Sequence, residues 1–326
     1  MLFKEHLGRI AARAVAGLLA AIALASCGGG TYQVTAFVPA RILTFGDESN
    51  MLVPPQGLKF SINGISTLTD LPDCTLLPLW NQVLASAYGM VYAECNPEAV
   101  STPGAINFST LNATVDDVAN QVNAFLAGDT FNGNDLVTVW VGTHDILQLY
   151  AEGGTGGDNS DLITQSRARG EQLANVVNLI VGYGARVLVL TMPDLSQSPF
   201  GETEQERGDF DRKQLLSDMS ANFNRAMRSA VINDGSKVGL VLPDDYVNSA
   251  VRSPSSFGYA ADAETQVACL PTAPLPTCTE DTLNIDPISS SSAASQFLWA
   301  DPTHLGSVAQ NAIGSQANSR AHSNPF

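Results

Sequence analysis

Four short apolar runs constrain this chain more than any other feature. They are residues 41–45 (RILTF), 136–141 (LVTVWV), 186–191 (RVLVLT) and 237–242 (KVGLVL). Each is close to continuously apolar instead of strictly alternating. A strand that reads this way is buried on both faces, as in a parallel sheet covered by helices. Helical periods lie between the runs. Val115, Val118, Val122 and Phe125 share one face, after Thr114 as N-cap and with Asp117 three residues on. Leu173, Val176, Val177 and Ile180 mark a second face, and Leu216, Met219, Phe223, Met227 and Ala230 a third. A helix over 76–87, a weaker strand near 90–93 and a last helix over 307–318 complete the reading. Strand alternating with helix predicts an α/β fold, a three-layer α/β/α sandwich with right-handed crossovers and a parallel sheet of about five strands. Residues 152–160 (EGGTGGDNS) read as a loop. Residues 243–300 lack clear periodicity, include the serine run at 289–292, and read as a Pro/Ser-rich excursion from one domain over 40–320.

The polar residues gather at the ends of these strands. Gly46-Asp47-Glu48-Ser49, Gly142-Thr143-His144-Asp145, Pro193-Asp194 and Pro243-Asp244 each follow an apolar run. In an open parallel sheet those carboxyl ends share one edge, where ligands bind. The chain has four histidines. His6 lies in the basic N-terminal stretch and His322 in the polar tail, which leaves His144 and His304 as acid–base groups. His304 ends the run Trp299-Ala-Asp301-Pro-Thr-His304. Asp and His three apart around one turn can hydrogen-bond, so that the carboxylate orients the ring. Trp299, beside Asp301, is expected to wall the site, with Asp47 and Asp145 lining it.

The N-terminus carries a different message. Lys4, Arg9 and Arg13 precede an apolar run over 14–25, the pattern of an export signal too short to span a bilayer comfortably. The run ends in Leu24-Ala25-Ser26-Cys27, followed by three glycines. This resembles the bacterial lipobox, which implies removal of residues 1–26, a lipid (palmitate among its acyl chains) on Cys27, and a flexible leader over 27–39. The expected location is the bacterial cell envelope, with outer-membrane sorting. Four cysteines remain, which allow three pairings. The simplest is Cys74–Cys95 with Cys269–Cys278, each closing a short loop. Their spacings do not suit a metal, and no metal or other cofactor is expected. Lys and Arg number 16 against 32 Asp and Glu, for a net charge of -16. Such a balance argues against nucleic acid and against electrostatic docking on anionic lipid.

Together these blocks resemble the SGNH, or GDSL, hydrolases over residues 40–320. That family carries a Gly-Asp-Ser motif after the first strand, then an oxyanion Gly, a Gly-x-Asn-Asp motif and a closing Asp-x-x-His. Here the blocks are Thr44-Phe45-Gly46-Asp47-Glu48-Ser49, Pro103-Gly104-Ala105-Ile106-Asn107, Val141-Gly142-Thr143-His144-Asp145 and Asp301-Pro302-Thr303-His304. The resemblance implies a flavodoxin-like sandwich and hydrolysis of carboxylic esters, such as acyl lipids or acylated sugars. It assigns Asp301 and His304 to the acid–base pair and Gly104 to the oxyanion site.

Two positions depart from the pattern. Glu48 stands where the family has serine, with Ser49 one residue later, and His144 stands where it has asparagine. The expected arrangement is Ser49 as nucleophile, His304 as base, Asp301 holding His304, and Gly104 and His144 as oxyanion donors. One residue of helix turns a side chain by about 100° and lifts it by about 1.5 Å, so Ser49 reaches His304 only through an extra residue in the turn. In an unchanged register Glu48 holds the nucleophile position. The alternative is then a weakly active or inactive binding lipoprotein.

Overall fold

A computed structural model describes residues 37–154, 156–285 and 293–323. The expectations for residues 1–26, Cys27 and the serine run at 289–292 fall outside the described residues. Among the described residues there are seven strands: β1 (Arg41–Gly46), β2 (Leu52–Val53), β3 (Leu58–Lys59), β4 (Ala105–Asn107), β5 (Asp135–Trp140), β6 (Arg186–Leu190) and β7 (Val238–Val241). The same residues form nine α-helices: α1 (Trp80–Ala87), α2 (Val115–Gly128), α3 (Thr143–Gly153), α4 (Ser160–Gly182), α5 (Pro199–Gln205), α6 (Arg212–Ala230), α7 (Pro243–Arg252), α8 (Pro254–Phe257) and α9 (Ser307–Ala321).

The main sheet has five parallel strands in the order β4-β1-β5-β6-β7. Both of its faces are apolar, and the strand period of two sorts the side chains between them. Leu43, Phe45, Val137, Val139, Val187 and Val189 pack with α2, α4 and α6 through Val118, Leu173, Val177 and Phe223. Ile42, Leu136, Trp140, Leu188, Leu190 and Val241 pack with α1, α7 and α9 through Trp80, Leu84, Val247 and Ile313. Two interleaved apolar sets read together as one continuous run, which is why the strands were legible. Full burial of each large aliphatic or aromatic side chain contributes about 1.5–3 kcal/mol relative to exposure. The three-layer sandwich is therefore the solution that hides both faces.

Three element expectations are corrected. The strand expected near 90–93 is not formed. Tyr92 makes only isolated bridges to Cys95 and Ala105, and the fifth strand is β4, whose three residues carry too little pattern to announce themselves. The helix expected from residue 76 begins at Trp80, because Leu79 holds extended backbone and its N–H is taken by Gln82 Oε1 at 2.9 Å. The stretch from 243 opens as helix, with Pro243 in its first turn and Asp244 and Asp245 favoured by the helix dipole. Beyond it the chain is largely irregular. It is held by a separate small core of Ile62, Ala268, Leu283 and Phe297 around the Cys269–Cys278 disulfide. Cys74–Cys95 closes the other loop, so both expected pairings are present. Among the described residues no helix is long and apolar enough to cross a membrane.

Candidate active site

The site is built at the carboxyl ends of β1 and β5 and at the turn before α9. β1 ends at Gly46, whose φ of 146° is open to glycine alone, and a Cβ there would lie 2.0 Å from the Trp140 carbonyl oxygen. The chain then turns sharply into a single 3-10 turn, Glu48–Asn50. Asp47 caps it, its Oδ1 accepting from Ser49 N–H at 2.9 Å. Asn50 pins it from below. Its Nδ2 donates to the carbonyls of Asp47 and Trp140, and its Oδ1 accepts from Trp80 Nε1 at 3.0 Å. The turn has no spare residue, so its register is tight and Glu48 is the side chain presented to the site.

Glu48 is nearly fully buried, and both its oxygens are taken. Oε1 accepts from His144 Nε2 at 2.5 Å and from His304 Nε2 at 3.0 Å. Oε2 accepts from the backbone N–H of Asn112 at 2.7 Å. Burial alone would raise this carboxyl's pKa, but the two imidazoles hold it well below the usual carboxylate range.

His144 sits in the first turn of α3, after Gly142, whose φ of 132° again excludes other residues. Burial disfavours its charge, yet the hydrogen bond to Glu48 raises its pKa above the ordinary histidine value. His304 is placed by its own tetrapeptide. Asp301 Oδ1 accepts the backbone N–H groups of Thr303 and His304 at 2.8 and 2.7 Å, and Asp301 Oδ2 faces His304 Nδ1 at 2.9 Å. The expected Asp–His pair is formed. With carboxylate oxygens at both nitrogens, the ring donates from both and is an imidazolium. Burial opposes this, but Asp301 and then Glu48 push its pKa up to about 10. Asp47, buried beside Glu48, is raised to about 6 by burial first and by Glu48's charge second.

Four expected roles are corrected by this geometry. Ser49 does not meet His304. Glu48 holds that position, and Ser49 contributes its backbone N–H to Asp47. Gly104 is at the wrong edge of the sheet. Its carbonyl accepts from Ile42 N–H at the start of β1, whereas the site lies past the strand's end. The backbone donor on that side is Asn112, a non-glycine residue at φ 56°. Its only signal in the sequence is its type, since asparagine tolerates the left-handed region better than most residues. Asp145 does not line the site. Its buried carboxylate accepts from Val115 N–H at 3.0 Å at the start of α2, and burial raises its pKa to about 7. Trp299 is wholly buried among Leu298, Tyr259 and Leu305, so it is core and not wall. What converges is a set of two histidines and two carboxylates, Glu48, His144, His304 and Asp301, with the Asn112 N–H alongside. The His144 and His304 side chains keep 17% and 12% of their exposure, so solvent reaches the cluster from their side.

The fold and this placement define a hydrolase-type α/β sandwich with its acid–base groups at the sheet's carboxyl edge. The family model for GDSL-like lipase/acylhydrolase matches residues 59–262, more than half of the chain, and the protein belongs to that family. The matched span contains His144 but neither Glu48 nor the Asp301–His304 turn. The chain is 25% identical over 201 residues to the phosphatidylcholine-sterol acyltransferase of Aeromonas hydrophila, covering 59% of this chain and 54% of that protein. It thus spans about half the length of the curated relative it matches. Among solved structures, it is similar to the lipase Lip_vut3 from a goat rumen metagenome (11% identity, TM-score 0.47, 88% of this chain and 99% of that one). It is also similar to Axe2, an acetylxylan esterase from Geobacillus stearothermophilus (10% identity, TM-score 0.42, 88% and 97%).

Proposed function

We propose that the protein hydrolyses carboxylic esters at the Glu48 cluster, with a water in place of a serine hydroxyl as the attacking group. One observation carries this reading: Glu48 Oε1 fills the hydrogen-bonding position at His304 Nε2 that a serine nucleophile needs. The geometry supplies a carboxylate to accept a proton from water and an imidazolium to give one to the departing alkoxide. Their direct hydrogen bond is the path by which Glu48's proton returns to His304 after each turnover. Asn112 N–H and His144 Nε2–H hold Glu48 in the resting site, and they are the donors that would turn to the oxyanion as Glu48 takes up its proton.

The substrates proposed are acyl esters of lipids or sugars, in keeping with the family and with the acyl chemistry named for the Aeromonas relative. The location proposed is the cell envelope, through a lipid on Cys27. The basic and apolar N-terminal pattern supports this, as do two disulfides, which persist in oxidising compartments. Replacing Cys27 with serine should move the protein from the membrane to the soluble fraction and abolish palmitate labelling.

Turnover of p-nitrophenyl acetate and butyrate by wild type, Glu48→Gln and Ser49→Ala tests the chemistry. Ser49→Ala should stay within a few-fold of wild type, and Glu48→Gln should lose about 10²-fold or more. Loss of activity in Ser49→Ala alone would overturn the assignment. A second reading, a binding protein, is favoured by the closed set of hydrogen bonds around Glu48. A silent wild type that gains esterase activity on Glu48→Ser would establish that reading instead.

A further inference from the structure

Water is a poor nucleophile near neutral pH, and both oxygens of Glu48 already have partners. The same atoms suggest how the difficulty is met.

Glu48 Oε1, His144 Nε2 and His304 Nε2 lie within 4.8 Å of one another. They arrive from three separate elements: the turn after β1, the first turn of α3 and the turn before α9. Both histidines present the same ring nitrogen. We infer that these three atoms form a site for a divalent first-row metal ion such as zinc, bound by two histidines and one carboxylate with a coordination position left open toward solvent.

Three observations support the assignment. The first is the pattern of departures from the family. Glu48 and His144 are the departures in the first and third motif blocks, and each replaces a poor ligand, serine or asparagine, with a good one. The structure places the two replacements in contact, 2.5 Å apart, although they are 96 residues apart in sequence. A single such exchange would be unremarked; two that meet at one point, beside a histidine the family already has, complete a ligand set.

The second is the outer layer. His304 Nδ1 is bonded to the Asp301 carboxylate, which fixes the ring and leaves Nε2 to the site. This carboxylate–histidine support is what zinc-binding histidines ordinarily have. Glu48 is oriented in the same manner, with Oε2 held by Asn112 N–H and Oε1 turned inward. The third is distance. Zinc–ligand bonds of about 2.0–2.2 Å put neighbouring ligand atoms roughly 3–3.5 Å apart; the Glu48–His304 separation is already 3.0 Å, and the Glu48–His144 pair, hydrogen-bonded at 2.5 Å, would open slightly to admit an ion. Two histidines and one glutamate with an open position are a known catalytic zinc set. An ion there would displace the Nε2 protons of both rings and would itself hold and acidify the attacking water, in place of the Glu48–His304 proton relay.

The inference rests on the proposed function only in giving the ion a catalytic use; binding is tested without it. The full chain, expressed without a histidine tag and stripped with chelator, is titrated with Zn²⁺ by calorimetry and with Co²⁺ by visible absorption. One equivalent should bind, and Co²⁺ should give the d–d bands of a low-symmetry nitrogen- and oxygen-ligated site. His144→Asn, which restores the family residue, and Glu48→Gln should each abolish that equivalent while leaving circular dichroism unchanged. Asp301→Asn should weaken it by about 10- to 100-fold, and His322→Ala should not change it.

No stoichiometric binding to folded wild type, or binding that survives His144→Asn and Glu48→Gln, overturns the inference. Ester turnover that is unaffected by chelator in a protein that binds no ion sinks the metal site and leaves the esterase reading standing. One bound equivalent in a protein without esterase activity does the reverse.

Discussion

Glu48 Oε1 and His304 Nε2 lie 3.0 Å apart across 256 residues of sequence. That contact joins the first strand's turn to the last helix's entry, and it makes the carboxyl edge of the sheet a reactive place. It also replaces the hydroxyl–imidazole pair of the family pattern with a carboxylate–imidazolium pair. The turn that presents Glu48 is held by Asp47 and Asn50, both buried and both hydrogen-bonded.

Asp301 is a positioning residue, and its removal should show in kcat. In Asp301→Asn the amide oxygen can keep the backbone bonds from Thr303 and His304, so the turn survives. The amide NH₂ cannot accept from Nδ1, so the imidazolium loses its partner. With p-nitrophenyl butyrate kcat should fall by about 10²–10⁴-fold, with KM within a few-fold. A change confined to KM would contradict the role.

Asn112 acts through its backbone. At φ 56° glycine is the better residue and a β-branched one is strained. Asn112→Gly should therefore keep both stability and activity, because the N–H that reaches Glu48 is unchanged. Asn112→Val should lose about 1–2 kcal/mol in urea denaturation and lose activity with it. Equal behaviour of the two variants would show that the left-handed turn is not needed.

The Cys269–Cys278 bridge closes a loop with a sequence separation of 9 inside the small core of the irregular segment. Replacing both cysteines with serine should lower stability by about 2–3 kcal/mol from loop entropy. Because this core also holds Phe297, which lies just before the Asp301–His304 turn in sequence, ester turnover should become more heat-labile. Unchanged thermal inactivation would argue that the segment is tied down by other contacts.

Lys59 gives a pH signature away from the site. Its ammonium is buried and donates to the carbonyls of Cys74 and Leu76, and burial lowers its pKa from 10.5 to about 8. Between those values the unfolded chain holds a proton that the folded chain has released. Folding is therefore favoured as pH rises through this window, and the penalty is fully present below it. The Tm of wild type minus that of Lys59→Met should increase between pH 7.5 and pH 10.5. A flat or falling difference would place the ammonium in a more favourable setting than its burial indicates.

Some of this architecture was written locally and some was not. The runs at 41–45 and 136–141 were legible because a strand buried on both faces must be apolar at nearly every position, whatever its neighbours. Asp301 and His304 were legible because three residues of spacing around one turn bring them together without help from the rest of the chain. The cysteine pairs followed from loop length. The identity of the residue at His304 was different. Ser49 and Glu48 are adjacent and both polar, and the choice between them depends on the register of a turn fixed by Asn50 against Trp140 and Trp80, contacts 90 and 30 residues away. Gly104 and Asn112 differed for the same reason. Which of them stands beside the site depends on where β4 begins, and three residues of strand are defined by pairing with β1, not by their own pattern. Local spacing decides what a short segment can form, while only the packing of distant segments decides which of two neighbouring side chains faces the chemistry.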